Sequence, residues 1–340
     1  MYIGDPHDGS GLHHLLWEVL ANSLDQFLMG KATRIDVALH ADESIEVTDD
    51  GPGIPMGPTD HGPPFVEWVL TSLHHSATAD GHAPHVHVGI HGVGLAAVCA
   101  LSENLTVELR GARGRYRQTF ARGAAVTELT RVGDPSRSGT SIRLKPDPDI
   151  FSTRWNVATI DQRLRELSAL QPGLLTSFRS TQRHGPSDLR DLLDSRNSVL
   201  PEPFLCVRKE NQMTVRIALD WNGFDGPEDE PTILQFSNLE ATRDGDHMTG
   251  FKRGLAGAFA RLGAGHGKAW VRPFEILSRG LSAVVSVSLI DPEYGDPTRD
   301  LLVHPRIGKL VERTLVDELP PLMNHIPDFR DDLLSRLRDA

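Results

Sequence analysis

GLHHLLWEVLANSLDQFL, residues Gly11 to Leu28, is the stretch from which the rest of this 340-residue chain is read. Leu12, Leu15, Leu16, Val19, Ser23, Leu24 and Phe27 recur at three- and four-residue spacing, which predicts an amphipathic helix with one face turned to a core. His14, Glu18 and Asn22 stand four apart and so share one ridge of that helix, stacked a turn at a time. An imidazole, a carboxylate and a carboxamide in that order can orient a base, activate a water and complete the oxygen shell of a metal ion. A solvated helix face carries such residues too, and this window alone leaves both readings open.

The chain is long enough for a sizeable core and two domains, and its composition, 39% hydrophobic and 24% charged, is that of a globular protein. It has no apolar run long enough to span a bilayer and no secretion signal at its start, which places it in the cytoplasm with no membrane partner. A formal net charge of −11 argues against a dedicated nucleic-acid binder. Arg110, Arg113, Arg115, Arg117 and Arg122 crowd one region, read here as the solvated face of a hairpin. Cys99 and Cys206 lie far apart in apolar surroundings and read as buried reduced thiols rather than a disulfide or a metal site.

After the first helix, Ile35, Val37 and Leu39, then Ile45 and Val47, alternate as a two-stranded hairpin. It runs into Asp49-Asp50-Gly51-Pro52-Gly53-Ile54-Pro55, where a carboxylate can accept from an exocyclic amine and two glycines admit a planar ligand. A plain loop has the same look. A helix is predicted over Val66 to Leu73, then a polar stretch holding His74, His75, His82, His85, His87 and His91, which lack the spacing of a metal site. That stretch ends in Gly89-Ile90-His91-Gly92-Val93-Gly94, ahead of a buried helix over Val93 to Leu101, so its glycines sit where free backbone N–H groups favour phosphate. Strands are expected at Leu105 to Leu109, Tyr116 to Phe120, Val126 to Thr130 and Ser138 to Leu144, and a helix at Asn156 to Leu170. A loop with Pro201 and Pro203 marks a boundary, giving domains 1–200 and 201–340, the second with strands at Phe204 to Val207, Val215 to Leu219, Ile233 to Phe236 and Ser282 to Leu289, and helices near Gly250 to Arg261 and Ile307 to Leu319.

Glu18 and Asn22, Asp49-x-Gly51-x-Gly53 and a glycine-rich lid, in that order, resemble the nucleotide site of the GHKL ATPases. The finer motifs select one branch. Met1-Tyr2-Ile3-Gly4-Asp5, Gly11-Leu12-His13-His14, Gly53-Ile54-Pro55, Leu73-His74 and Gly89 to Gly94 resemble the B subunits of DNA gyrase and topoisomerase IV, and the likeness continues through Gly139-Thr140, Arg163 to Ser168 and Gly280 to Val284. The resemblance implies an α+β chain, a GHKL (Bergerat) α/β sandwich followed by a transducer similar to ribosomal S5 domain 2. It also implies ATP and Mg²⁺ as cofactors. Since the DNA-cleavage domains of the full subunit have no counterpart in this sequence, the expectation is that the chain is not a topoisomerase by itself.

Carried over by position, the resemblance makes Glu18 the general base and His14 the residue that orients it. Asn22 becomes the Mg²⁺ ligand and Asp49 the adenine anchor, with Thr140 supporting it through a water. Gly51, Gly53 and Ile54 would admit the base, and Gly89, His91, Gly92, Val93 and Gly94 would hold the triphosphate. Arg299 would meet the phosphates from the transducer.

Departures from the family qualify this. A Gln-Thr-Lys run becomes Pro297-Thr298-Arg299, the lid lysine becomes Thr78, and a glutamate–arginine pair at the adenine pocket becomes Gln26 and Pro52. The arm that precedes the Met-Tyr-Ile-Gly motif in relatives does not appear, so ATP-driven dimerisation is expected to be weaker or built differently. The leading expectation is a slow ATPase module acting as a conformational or dimerisation switch, as a homodimer or beside a separate topoisomerase or other DNA-associated partner, with DNA contact left open. The alternative is a non-hydrolysing regulator that binds a gyrase or another protein. A histidine kinase ranks below both because that branch normally lacks a glutamate at the position of Glu18.

Overall fold

The structure is a computed structural model that describes residues 3–59, 62–73, 88, 92–179, 181–184, 188–222, 230–263, 273–296 and 299–339. It divides into two compact units, Met1–Pro186 and Ser187–Ala340, each taken by itself below. This division falls earlier than the 200/201 boundary expected from the proline loop. Residues ahead of that loop are already bonded into the second sheet: the Asp194 amide donates to Ser282 Oγ at 2.8 Å and Ser198 Oγ donates to Asp220 Oδ1 at 2.6 Å.

The first unit opens with helix α1, Ser10–Leu28, followed by strands β1, Arg34–Leu39, and β2, Ile45–Asp49. Two short helices follow, α2, Phe65–Thr71, and α3, Gly94–Ala100. Strands β3, Ser102–Gly111, and β4, Gly114–Ala121, make a hairpin, and β5, Ala124–Ala125, β6, Thr130–Gly133, and β7, Gly139–Pro146, extend the sheet. Helix α4, Val157–Leu170, then leads to β8, Leu175–Phe178, and β9, Thr181–His184. The strand order is β5-β4-β3-β7-β2-β1-β8-β9, with β6 on β4. All pairs are antiparallel except β1 with β8; α4 carries the chain from β7 across β2 and β1 to β8.

Period-two alternation decides which face is covered. Ile45, Val47 and Asp49 of β2 are buried while Glu46 and Thr48 between them are half-exposed. The apolar stripe of α1 lies over the buried side, and Leu15 and Leu16 have no exposed surface. Truncating either to alanine would remove about 2–5 kcal/mol. The start of α1 explains a sequence motif: the Gly11 amide donates to the Asp5 carbonyl at 2.9 Å, and a Cβ on Gly11 would lie 2.9 Å from that same oxygen. His13 is a tie between elements rather than a site residue. Its Nδ1–H donates to the Gly9 carbonyl at 2.8 Å, and its Nε2 accepts at 2.9 Å from the amide of Asn156, the residue that caps α4.

One expected strand is displaced. Val126 and Thr127 both donate their amides to the Thr119 carbonyl, so the ladder stalls there, Val126 lies exposed, and pairing with β4 resumes only at β6. Arg115 and Arg117 pair with Glu108 across the β3–β4 hairpin, and Arg122 pairs with Asp147 and Asp149, as a solvated basic face requires.

In the second unit a turn at Leu189–Leu192 precedes β10, Phe204–Glu210, β11, Met213–Trp221, β12, Thr232–Ser237, β13, Glu240–Ala241, and β14, Asp244–Gly245. Then come α5, Asp246–Leu262, α6, Pro273–Leu277, β15, Leu281–Ser288, β16, Leu301–Leu302, α7, Pro305–Met323, and α8, Pro327–Asp339. The sheet order is β10-β11-β15-β12-β13, and β15, at its centre, is buried along nearly all its length. Helices α5 and α7 touch backbone to backbone: a Cβ on Gly250 would fall 2.7 Å from Gly308 C, and one on Gly254 would fall 2.9 Å from Glu312 Cα. Trp221, Phe251 and Phe259 fill the core beneath them. Cys99 and Cys206 are buried free thiols, one in each unit. Among the described residues no helix is long and apolar enough to cross a membrane.

Candidate functional site

Helix α1 brings the ridge His14, Glu18 and Asn22 to the edge of the buried interior. His14 Nε2 lies 3.1 Å from Glu18 Oε1, with the two side chains 36% and 11% exposed, so the glutamate is nearly enclosed and the imidazole reaches water. Glu18 lies against the start of α3, where a Cβ on Gly94 would come within 2.8 Å of Glu18 Cδ and closer still to Oε2. Only glycine leaves room for the carboxylate there. Asn22, one turn on, is half-buried.

On the sheet side of the same helix, Asp49 ends β2 with 2% of its surface exposed. Its Oδ2 accepts from Ser23 Oγ at 2.8 Å, and its Oδ1 accepts from the amides of Gly51 at 2.9 Å and Thr140 at 3.3 Å. Burial pushes the Asp49 carboxyl above the ordinary carboxylate range, against the pull of those bonds from Ser23, Gly51 and Thr140. Three donors occupy three of about four acceptor positions, which leaves one for a ligand. Asp50 next to it is a structural tie. Its carboxylate accepts from the Thr33 amide and hydroxyl and the Arg34 amide at 2.7, 2.6 and 3.0 Å, fastening the strand end to β1.

Gly53 stands at φ +83°, and a Cβ on Gly51 would lie 3.0 Å from Asp49 Oδ1 and 3.4 Å from Gln26 Cβ. Gln26 thus lies along the turn, while Pro52 is exposed and Ile54 is buried. Of the glycine-rich stretch, Gly92, at φ +60°, Val93 and Gly94 are described. Gly89 and His91 lie outside the described residues, as do Thr78, Pro297, Thr298 and the other five histidines of that stretch.

Arg299 belongs to the second unit, where it stands at φ +65° on a tight turn. Its amide donates to the Asp296 carbonyl at 3.3 Å, and the Asp296 carboxylate accepts from the amides of Asp300 and Leu301 at 3.0 and 2.7 Å. Tyr294, pushed up by burial, feels the Arg299 charge.

A groove of about 510 Å³ on the other side of the first sheet is lined by Glu46, Thr48, Glu108, Arg110, Ser141 and Arg143 among others, and these charges largely answer one another across strands. Among the described residues no group of three His, Cys, Asp or Glu side chains could hold a metal alone. Asn22 offers one carboxamide oxygen, a donor of the type that hard cations take.

The sequence pattern assigns Ser23 to the apolar face and so misses its role. It does face inward, but toward the Asp49 carboxylate, and a hydroxyl on a core-facing stripe is the signal that marks it. Thr140, expected to act through a water, meets Asp49 through its own amide. Together these groups can take an amine at Asp49, a cation at Asn22 and a water at Glu18.

The model for histidine kinase-, DNA gyrase B- and HSP90-like ATPases matches residues 7–150, and the DNA gyrase B model matches residues 187–340. The DNA gyrase B protein of Myxococcus xanthus is 33% identical over 358 aligned residues, which cover 100% of this chain and 43% of that protein. The gyrase B protein of Clostridium acetobutylicum is 33% identical over 97% of this chain and 54% of its own length. The chain spans about half the length of the curated relatives it matches. Among solved structures, the 43K ATPase domain of Thermus thermophilus gyrase B, in complex with an aminocoumarin, superposes with a TM-score of 0.77 at 29% identity, covering 100% of this chain and 91% of that one. The topoisomerase IV ATP binding domain of Francisella tularensis shares the fold, with a TM-score of 0.79 at 24% identity over 99% of this chain and 93% of that one. The chain is therefore a DNA gyrase B-like member of the GHKL superfamily, an α+β protein in which an ATPase-type unit is followed by a gyrase B transducer unit.

Proposed function

We propose that this chain binds ATP with Mg²⁺ and hydrolyses it slowly, and that the nucleotide cycle drives a conformational or dimerisation switch. The observation that carries the reading is the placement of Glu18, bonded to His14 at 3.1 Å and lodged in the space left by Gly94, on the helix that also brings Ser23 to Asp49. In this reading Asp49, ionised, accepts from the exocyclic amine of adenine on its remaining acceptor position, and Ser23, Gly51 and Thr140 keep it oriented. Gly51, Gly53 and Ile54 border the base. Glu18 positions the attacking water and takes its proton, and His14 sets the direction of that carboxylate. Mg²⁺, held by Asn22 and the phosphates, supplies charge neutralisation when bound.

The amides of Gly92, Val93 and Gly94, with Gly89 and His91 of the same stretch, serve the triphosphate. We place the protein in the cytoplasm, working as a homodimer or against a separate topoisomerase or other DNA-associated partner. A second reading, a non-hydrolysing regulator, draws on the replacements at residues 78, 297 and 299 and predicts nucleotide binding without turnover. Calorimetry with ATP, ADP and Mg²⁺ tests the shared premise: binding abolished by Asp49→Ala supports it, and a parent chain that binds neither nucleotide removes both readings.

A further inference from the structure

The residue before the glycine-rich stretch is tied to α1 by a group that the nucleotide reading leaves unused. Asp25 lies three residues after Asn22 and seven after Glu18, so the three side chains share one stripe of the helix. Only 6% of Asp25 is exposed, and its Oδ1 accepts at 2.7 Å from the amide of Val88, itself 2% exposed. A carboxylate is among the most expensive groups to bury, and one that is buried holds its hydrogen-bond donor in a fixed place. At the other end of the stretch, Gly94 abuts Glu18. Residues 88 and 94 are thus both fixed to α1, two turns of helix apart, one by a charge-assisted hydrogen bond and the other by close packing.

We propose that Asp25 is a positioning residue for triphosphate recognition: by holding the Val88 amide it sets the start of the segment whose backbone serves the phosphates. The inference rests on the proposed ATP-binding reading. Asp25 acts through the hydrogen bond and not through net charge, so a side chain that keeps an acceptor oxygen keeps the effect.

The test uses the full chain as parent, Asp25→Asn and Asp25→Ala. Calorimetry measures affinity for adenosine and for ATP with Mg²⁺, and hydrogen exchange follows the Val88 amide in the absence of nucleotide. Asp25→Ala should leave adenosine binding within about twofold of the parent, weaken ATP binding by about tenfold or more, and speed exchange at Val88. Asp25→Asn should retain most of the ATP affinity and of the protection. If Asp25→Ala does not fold, Val88→Pro removes the donor instead and should show the same selective loss of ATP over adenosine. An unchanged ratio of the two affinities overturns the inference, as does equal weakening of both ligands, which marks a merely structural role. Asparagine failing as badly as alanine overturns it too, because charge would then be what matters. A parent chain that binds no ATP brings down the functional reading as well, whereas a parent that binds ATP no better than Asp25→Ala brings down this inference alone.

Discussion

Glu18 and Gly94 compete for one space: the carboxylate of α1 fills the position that a side chain at the start of α3 would take, with only 2.8 Å between a methyl carbon placed on Gly94 and Glu18 Cδ. Gly94→Ala must therefore turn the carboxylate away or push α3 outward. Overpacking of this kind removes about 1–3 kcal/mol of stability. ATP turnover should fall by about tenfold or more, because the water loses its acceptor. Thermal melting and a steady-state assay check the two parts, and a folded Gly94→Ala chain with parental turnover would refute the link.

Asp49 should make nucleotide affinity depend on pH. Its carboxyl is held above the ordinary range by burial, so acidification protonates it and removes the acceptor for the adenine amine. Affinity should fall as pH drops toward that raised value and recover above it. Asp49→Asn should lower affinity about ten- to hundredfold near neutral pH, since one amide oxygen cannot serve Ser23, Gly51, Thr140 and a ligand together. It should also flatten the acid limb. A titration of affinity against pH for both chains decides, and an acid limb that persists in Asp49→Asn would assign it to another group.

His247 predicts the acid stability of the second unit. Burial pushes its imidazole down to about 4, against the nearby Asp244 and Asp246 carboxylates, and its Nε2 is bonded to Thr242 Oγ1 at 3.1 Å. Unfolded, the same ring titrates near 6.5. The folded form thus keeps it neutral, so its contribution is complete above about pH 6.5 and is lost as pH falls from there through about 4, roughly 3 kcal/mol in all. Urea unfolding across that range should show the slope, and His247→Gln should reduce it.

Gly250→Ala tests the contact of α5 with α7. A methyl group there would meet the Gly308 backbone, which cannot yield as a flexible side chain can. We expect a loss of about 2–3 kcal/mol or failure of the second unit to fold. Unchanged melting of the variant would show that the two helices stand further apart than this contact requires.

Much of this architecture is legible in the sequence because periodicity reports burial directly. The stripe from Leu12 to Leu24 becomes the buried face of α1, and the Asp49-x-Gly51-x-Gly53 turn becomes the buried carboxylate with its glycines. What stays hidden is tertiary pairing. Nothing near Leu175 says that β8 will lie parallel to β1, and while the four-residue spacing marks His14 as a neighbour of Glu18, nothing near His13 says that it will link α1 to the cap of α4. Ser23 reads as a core residue for the same reason, and the sequence pattern singles out nothing at Asp25, since each is explained by a partner remote in sequence.

ATP turnover and ATP affinity, measured side by side in the parent chain and in Glu18→Gln, test the role of the carboxylate most directly, because glutamine keeps the shape of the side chain and removes its basicity. Turnover should be lower by about a hundredfold or more, with affinity within about threefold of the parent. Equal turnover in the two chains would contradict this, for the carboxylate between His14 and Gly94 would then have no part in the reaction.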